Sequence, residues 1–414
     1  MTDDLKPGLY SRFERYVKVE TTSDDSSKTC PSTPGQLKLA KIAAEDMKKA
    51  GLKNVSVDKN GYVMGELAAN TSRKVPAIGF IAHLDTAPDA PGKNVRPQLH
   101  KNYSGGAIVV SKKLGVVIRP QDAPGLADCA GEDIVTASGD TLLGADNKAG
   151  MAVILSALEW LGAHPEVKHG PLKAAFTPDE EIGRGANLFN LKKFGASYAY
   201  TFDGDRTGSI EDETFNADAL TLSVKGKSVH TGTAKNILAN AARIAADIIT
   251  AWPANMLPET TEGREGFIVF LSCEAGIEKA EVKGLVREHD MAKLRKMERL
   301  LEAIVAQKRL EYPAAAIDVK FREQYRNMKI VLDKHPLVMK YALEAMRETG
   351  VEPIIKPVRG GTDGARLSFM GLPTPNIFTG GGNYHGRHEW VSLDGMEKAA
   401  RVLIALARKW EENS

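Results

Sequence analysis

Cysteine is scarce in this chain: Cys30, Cys129 and Cys273 are the only three in 414 residues. An odd number with no CxxC pair excludes a disulfide framework and reads as reduced thiols in a cytoplasmic protein. A surplus of either charge is also missing. The 55 basic and 53 acidic residues leave a net charge of +2, too little for a phosphate-binding field, so no nucleic-acid partner is expected. Apolar runs fall short of the ~18 residues of a membrane span. The first twenty residues, MTDDLKPGLYSRFERYVKVE, have neither a basic n-region nor an apolar core, so secretion and membrane insertion are not expected either. Internal repeats and low-complexity tracts are absent.

What is present is ordinary globular composition, 43% hydrophobic and 26% charged, in a chain longer than the ~250 to 300 residues at which one core stops growing. Two domains follow. Between Pro34 and Gly51, Leu37, Leu39, Ile42, Ala43 and Met47 fall at helical spacing. The segment 55–67 reads as two strands joined by a two-residue turn at Asn60-Gly61. A buried strand, AIGFIA, runs directly into His83-Leu84-Asp85-Thr86, the strand end where open α/β sheets build sites. After an irregular, Pro- and Gly-rich excursion over 88–139 come a helix at 148–161 and strands at 172–176 and 198–202. Residues 220–321 then read strand (220–224), helix (237–250), strand (267–272), strand (282–287), helix (291–307) and strand (316–321), the split order of ferredoxin-like domains. A helix at 336–349, strands at 353–358 and 374–378 and a helix at 393–410 resume the α/β alternation. The expected fold is α/β: a catalytic domain of residues 1–215 and 327–414, with a mixed, mostly parallel sheet flanked by helices, and an inserted α+β ferredoxin-like lid or dimerisation-type domain over 216–326.

Five segments place metal-capable groups at element ends: HLDT at 83–86, LLGADNKAG at 142–150, TPDEEIGRG at 177–185, YTFDGD at 200–205 and NYHGRHEW at 383–390. Two histidines and three carboxylates hold two ions if one carboxylate bridges, and a hydroxide between the ions then attacks a carbonyl. Such a site needs a further carboxylate to move the proton, and Glu180-Glu181 offers base and ligand side by side. Asp85 lies on the same side as His83 if the strand continues, as an orienter of its ring. Taken singly, each segment has a plain structural reading. Asp146 could cap the helix that follows, Glu180 and Glu181 could be loop charges, and His385 and His388 could be surface residues. Convergence of complementary ligands at separate strand ends favours the functional reading, and leaves His385 and His388 open as alternatives.

HLDTAPDAPGKNVRPQ, TLLGADNKAG, AFTPDEEIGRGA, VHTGTAK, RGGTDGARLSFMGLPTPN and NYHGRHEWVSLDGMEKA, in this order and at these separations, resemble the dinuclear zinc exopeptidases, and within them the aminotripeptidase branch, peptidase T. The resemblance spans nearly the whole chain. It implies that His83 and Asp203 bind one Zn²⁺ and Glu181 and His385 the other, with Asp146 bridging; by their chemistry such ligands could also take Co²⁺ or Mn²⁺. By the same resemblance, His385 is the ligand in preference to His388, Asp85 orients His83, and Glu180 is the general base. His230 would assist at the scissile carbonyl, while Arg287 or Arg359 would hold a peptide carboxylate. Two positions depart from the branch: Asn147 follows the bridging Asp where a second Asp is usual, and Thr231 follows His230 where Pro is common. Neither removes a ligand.

The expected activity is a cytoplasmic, metal-dependent aminopeptidase that releases the amino-terminal residue of short peptides, chiefly tripeptides. The alternatives are a related dinuclear zinc dipeptidase or N-acyl amino acid amidohydrolase, since one scaffold hosts many amide hydrolases, and a non-catalytic scaffold. The expected partners are short peptides, and the resemblance allows a homodimer.

Overall fold

The computed structural model describes residues 4–414. Among them the chain divides into two compact units, one running to Asp212 and resuming at Met328–Lys356 and Thr362–Ser414, the other formed by Glu213–Asn327 and Pro357–Gly361.

The first unit is built on an eight-stranded sheet in the order Lys53–Val57, Val63–Leu67, Leu172–Thr177, Ile78–His83, Tyr198–Gly204, Asn376–Phe378, Ser209–Glu211, Ile354–Ile355. Ile78–His83 is buried along its whole length and pairs in parallel with Leu172–Thr177 on one side and Tyr198–Gly204 on the other. A strand covered on both faces has no solvent side to tolerate polar residues, which is why it reads as an unbroken apolar run. Helices Lys6–Val17, Ala145–Ala163, Pro336–Glu348 and Leu393–Glu412 supply apolar faces to the main core around Phe80, Tyr200 and Phe202.

The second unit carries a four-stranded antiparallel sheet in the order Phe267–Ala275, Lys279–Glu288, Asn216–Lys225, Ala316–Tyr325. Helices Ala241–Ala251 and Met291–Glu311 share a core with it through Ile244, Ile248, Leu294 and Leu301. Strand, helix, strand, strand, helix, strand along the chain makes this a ferredoxin-like α+β sheet.

Several local expectations change. Residues 237–240 are not helical, because the Asn240 side chain accepts from Ala242 N–H and Arg243 N–H and so starts the helix at Ala241. The hairpin joining Lys53–Val57 to Val63–Leu67 turns through a five-residue loop rather than at Asn60-Gly61 alone, since Asp58 Oδ1 accepts from Asn60 N–H and Tyr62 N–H. The strand expected over 353–358 covers only Ile354–Ile355. The excursion over 88–139 contains four short strands, two of them in a sheet with Gly381–Gly382 and Trp390–Ser392. Among the described residues no helix is long and apolar enough to cross a membrane, and the three cysteines are unpaired.

Candidate metal centre

All of the site's principal groups lie in the first unit, and four of them lie at or just beyond the carboxyl ends of its central parallel strands. His83 is the last residue of Ile78–His83, Glu180 and Glu181 follow Leu172–Thr177, and Asp203 sits near the end of Tyr198–Gly204. Asp146 belongs to the segment Ala145–Ala163, but its φ of −81° and ψ of 103° are not helical, and those of Asn147 are not either. The regular helix therefore begins beyond them, and the Asp146 side chain serves the site instead of a cap.

His83 Nδ1 lies 3.1 Å from the Asp85 carbonyl and 3.3 Å from Asp85 Oδ1. Both are acceptors, so the ring proton belongs on Nδ1 and Nε2 is left with its lone pair. That Nε2 faces Asp146 Oδ1 at 2.9 Å and Asp203 Oδ1 at 3.3 Å. His385 Nε2 in turn lies 3.2 Å from Asp146 Oδ2 and 3.0 Å from Glu181 Oε2. The two oxygens of Asp146 thus face different histidines. Lone pairs converge here with too few donors, an arrangement reconciled by protonating the rings or by placing cations among the oxygens.

The electrostatics say the same. Burial disfavours charge on His83, yet the Asp203 charge and the hydrogen bonds of Asp146, Asp203 and Asp85 raise its pKa well above that of a free histidine. His385 is pushed up to about 11 by its contacts with Asp146 and Glu181. Burial, reinforced by the Asp146 charge, pushes Glu181 up to about 8, and burial and Asp146 push Asp203 up to about 7 against the pull of His83. Asp146 is held below the usual carboxylate range, burial being outweighed by the two histidines. So much stored proton affinity marks a cluster short of positive charge.

The residues fit a metal pair. Glu181 Oε1 is buried with no hydrogen-bond partner, an oxygen free to act as a ligand. His83, Glu180 and Asp203 form one group, and His83, Asp146 and Glu181 another, whose ligand atoms lie within 4.8 Å of one another. Nitrogen and carboxylate donors in such groups suit a divalent transition ion. Glu180 stands inside the first group on proximity alone. Burial raises its pKa well above the ordinary value, with Asp203, Asp363 and Glu181 adding to the shift.

Asp85 reaches its place by a different route from the one expected. The strand ends at His83, so alternation along it does not aim Asp85. Its carboxylate is fixed by accepting Glu180 N–H at 3.0 Å and Glu181 N–H at 3.1 Å. His388 is exposed and lines an open cavity of about 400 Å³ with Arg119, Asp122 and Asn383. It is the His385 ring, from a residue at φ 64°, that meets Asp146 and Glu181.

Sequence reasoning missed Glu389. Its buried carboxylate accepts from Leu143 N–H, Gly144 N–H and Asp146 N–H at 2.7, 2.8 and 3.1 Å. It fixes the turn that presents Asp146, in which Gly144 has φ 79°. The adjacency of Glu389 to the final histidine motif was the available signal. Asn376 was also missed: its Oδ1 receives the Asp203 N–H at 3.0 Å and its amide donates to Glu211. Asn147 Oδ1 accepts from Gly150 N–H, while its buried Nδ2 has no partner.

In the second unit, His230 is exposed and its Nδ1 accepts from Gly232 N–H at 3.1 Å. Arg359 donates to the Gly263 and Glu265 carbonyls and to Thr261 Oγ1, with its guanidinium 5.4 Å from the Phe215 ring centroid and 5.3 Å from that of Phe267. Arg287 donates through Nη1 to the Arg359 carbonyl and keeps a buried Nε without a partner.

A mixed α/β sheet with histidines and carboxylates gathered at its strand ends, together with a separate ferredoxin-like unit, defines a two-unit α/β protein with a candidate metal centre. The model of peptidase family M20/M25/M40 matches residues 142–409, and the chain belongs to that family. It is 46% identical over 410 residues to peptidase T of Geobacillus sp. (strain WCH70) and to that of Bacillus pumilus, covering 99% of this chain and 100% of each relative. Among solved structures, the fold matches aminopeptidase PepT from Bacillus cereus and a tripeptidase from Staphylococcus aureus. Each match has a TM-score of 0.76 at 20% identity, over 98% of this chain and 99% of the other. A dinuclear metal binding peptidase of the M20 family from Bacillus subtilis matches with a TM-score of 0.67 at 15% identity, over 98% of both chains.

Proposed function

We propose that the protein is a cytoplasmic dinuclear zinc aminopeptidase that releases the amino-terminal residue of short peptides, chiefly tripeptides. The observation that carries this reading is Asp146, whose two oxygens face His83 and His385 separately. In it, His83 and Asp203 would hold one ion and Glu181 and His385 the second, with Asp146 as the ligand they would share. Bound divalent ions lower the pKa of a water and offset negative charge developing on the scissile carbonyl oxygen.

The chain's own groups do the rest. Asp85 keeps the proton on His83 Nδ1, so that Nε2 is available as a ligand. Glu180 accepts the proton of the attacking water as its oxygen bonds to the carbonyl carbon, then delivers that proton to the leaving nitrogen as the C–N bond breaks. Burial, which raises its proton affinity, suits it to hold the proton between the two steps. In the second unit we assign the peptide carboxylate to Arg287, whose Nε is uncommitted, in preference to Arg359, whose donors are already engaged. His230 is assigned to the scissile carbonyl. The relatives' names, peptidase T and tripeptidase, support the choice of substrate.

The test compares Ala-Ala-Ala with N-acetyl-Ala-Ala-Ala, using the wild type and Glu180→Ala. Cleavage of the free peptide alone, with Glu180→Ala keeping its metals but losing at least about a thousandfold in kcat, is expected. Equal cleavage of the blocked peptide would replace the reading with an acyl-amino acid amidohydrolase, and full activity in Glu180→Ala would remove the base. A homodimer, which the resemblance allows, is checked by sedimentation.

A further inference from the structure

One buried carboxylate near the centre has no part in the mechanism above. Asp363, 5% exposed, opens the helix Asp363–Phe369. Its Oδ2 accepts from Thr177 Oγ1 at 2.7 Å. Its two oxygens also lie against Gly185 so closely that a Cβ there would come within 2.2 and 2.3 Å of them. Thr177 and Gly185 are the first and last residues of TPDEEIGRG, the loop that carries Glu180 and Glu181. Both ends of that loop therefore close on a single carboxylate.

Other contacts act elsewhere on the loop. Asp85 holds the amides of Glu180 and Glu181, Tyr62 Oη donates to the Gly185 carbonyl, and Asp179 is held by Ser32 and Gln36. None of these spans the two ends. The Thr177 backbone is held in the sheet, its carbonyl accepting from Leu84 N–H at 2.8 Å, and Arg184 N–H donates to the Asp179 carbonyl at 2.9 Å. The play left to the loop lies in how its Gly185 end sits against the Thr177 side chain, and a shift of about 1 Å at a proton-transferring group costs on the order of a hundredfold in rate.

We infer that Asp363 is a positioning residue for the Glu180-Glu181 loop, clasping its two ends through Thr177 and against Gly185. The inference rests on the proposed role of Glu180, and its test is arranged to separate the two. Hydrogen exchange is measured on the zinc-loaded full chain alongside hydrolysis of Ala-Ala-Ala. In Asp363→Ala and in Thr177→Val, amides of residues 179–184 should exchange about tenfold faster, with those of Ile78–His83 unchanged. At the same time kcat should fall about tenfold at unchanged KM and unchanged zinc content. Asp363→Asn, which keeps an acceptor oxygen for Thr177, should restore both readouts. The Asp363→Ala/Thr177→Val double variant should behave as Asp363→Ala does, because the two share one contact. Wild-type exchange in Asp363→Ala, or losses that multiply in the double variant, would overturn the inference. Should Asp363→Ala not fold, Thr177→Val alone decides by its exchange. A wild-type protein that cleaves no peptide refutes the peptidase reading and leaves the exchange test intact.

Discussion

Glu180 is tied to Asp85 through its own backbone: the Glu180 N–H donates to Asp85 Oδ1 at 3.0 Å, while the other Asp85 oxygen takes the Glu181 N–H at 3.1 Å. The same carboxylate lies 3.3 Å from His83 Nδ1. One buried side chain therefore sets the ring of one proposed ligand and the position of the proposed base and of a second proposed ligand. Asp85→Ala should lower metal affinity about 10- to 100-fold and lower kcat beyond what added zinc restores. Zinc titration followed by steady-state kinetics at saturating metal separates the two effects.

Glu389 does for Asp146 what Asp85 does for Glu180. Its three backbone contacts, at Leu143, Gly144 and Asp146, make Glu389→Ala a change that leaves three N–H groups without their acceptor. A loss of about 1 to 3 kcal/mol per orphaned group is the scale for such changes, and about 10- to 100-fold weaker zinc binding should accompany it. Thermal unfolding with and without zinc checks both.

His385 and His388 should separate cleanly in metal content. His385→Ala is expected to retain about one zinc after dialysis, and His388→Ala about two, on the rule that removing a ligand empties its site. Equal loss in both variants would mean that the exposed His388 ring takes part after all.

Much of this was legible in the chain. AIGFIA announced a central strand because a strand covered on both faces carries only apolar residues, and it delivered His83 at its end. The ferredoxin-like order could be read from alternating strands and amphipathic helices. Less legible was anything decided by contact between distant segments. Spacing alone could not choose His385 over His388, because the choice depends on a loop conformation with His385 at φ 64°. The supporting acceptors Glu389 and Asn376 act on backbone amides, which leave no trace in composition. The start at Ala241 turned on a single Asn240 cap, the kind of local competition that periodicity overlooks.

Glu211 gives a pH-dependent test away from the ligands themselves. Burial pushes its pKa from the ordinary 4.5 up to about 7, against the pull of Lys356 and the Asn376 amide. Between those values the folded protein keeps a proton that the unfolded chain has released, so this group's contribution to stability falls as pH rises through the window and levels off above it. Glu211→Gln has no such titration. Its stability relative to the wild type should rise by up to about 3 kcal/mol from about pH 4 to about pH 8, the shift converted at 1.36 kcal/mol per unit. Urea unfolding in chelator at several pH values measures this difference.

The central claim, that the paired histidines and carboxylates around Asp146 hold two ions and that peptide cleavage depends on them, is tested most directly by zinc titration of chelated protein with Ala-Ala-Ala as substrate. The chelated chain should be inactive, and activity should return to a plateau as about two zinc ions bind per chain. Undiminished cleavage in excess chelator, or a plateau with no zinc bound, would contradict it.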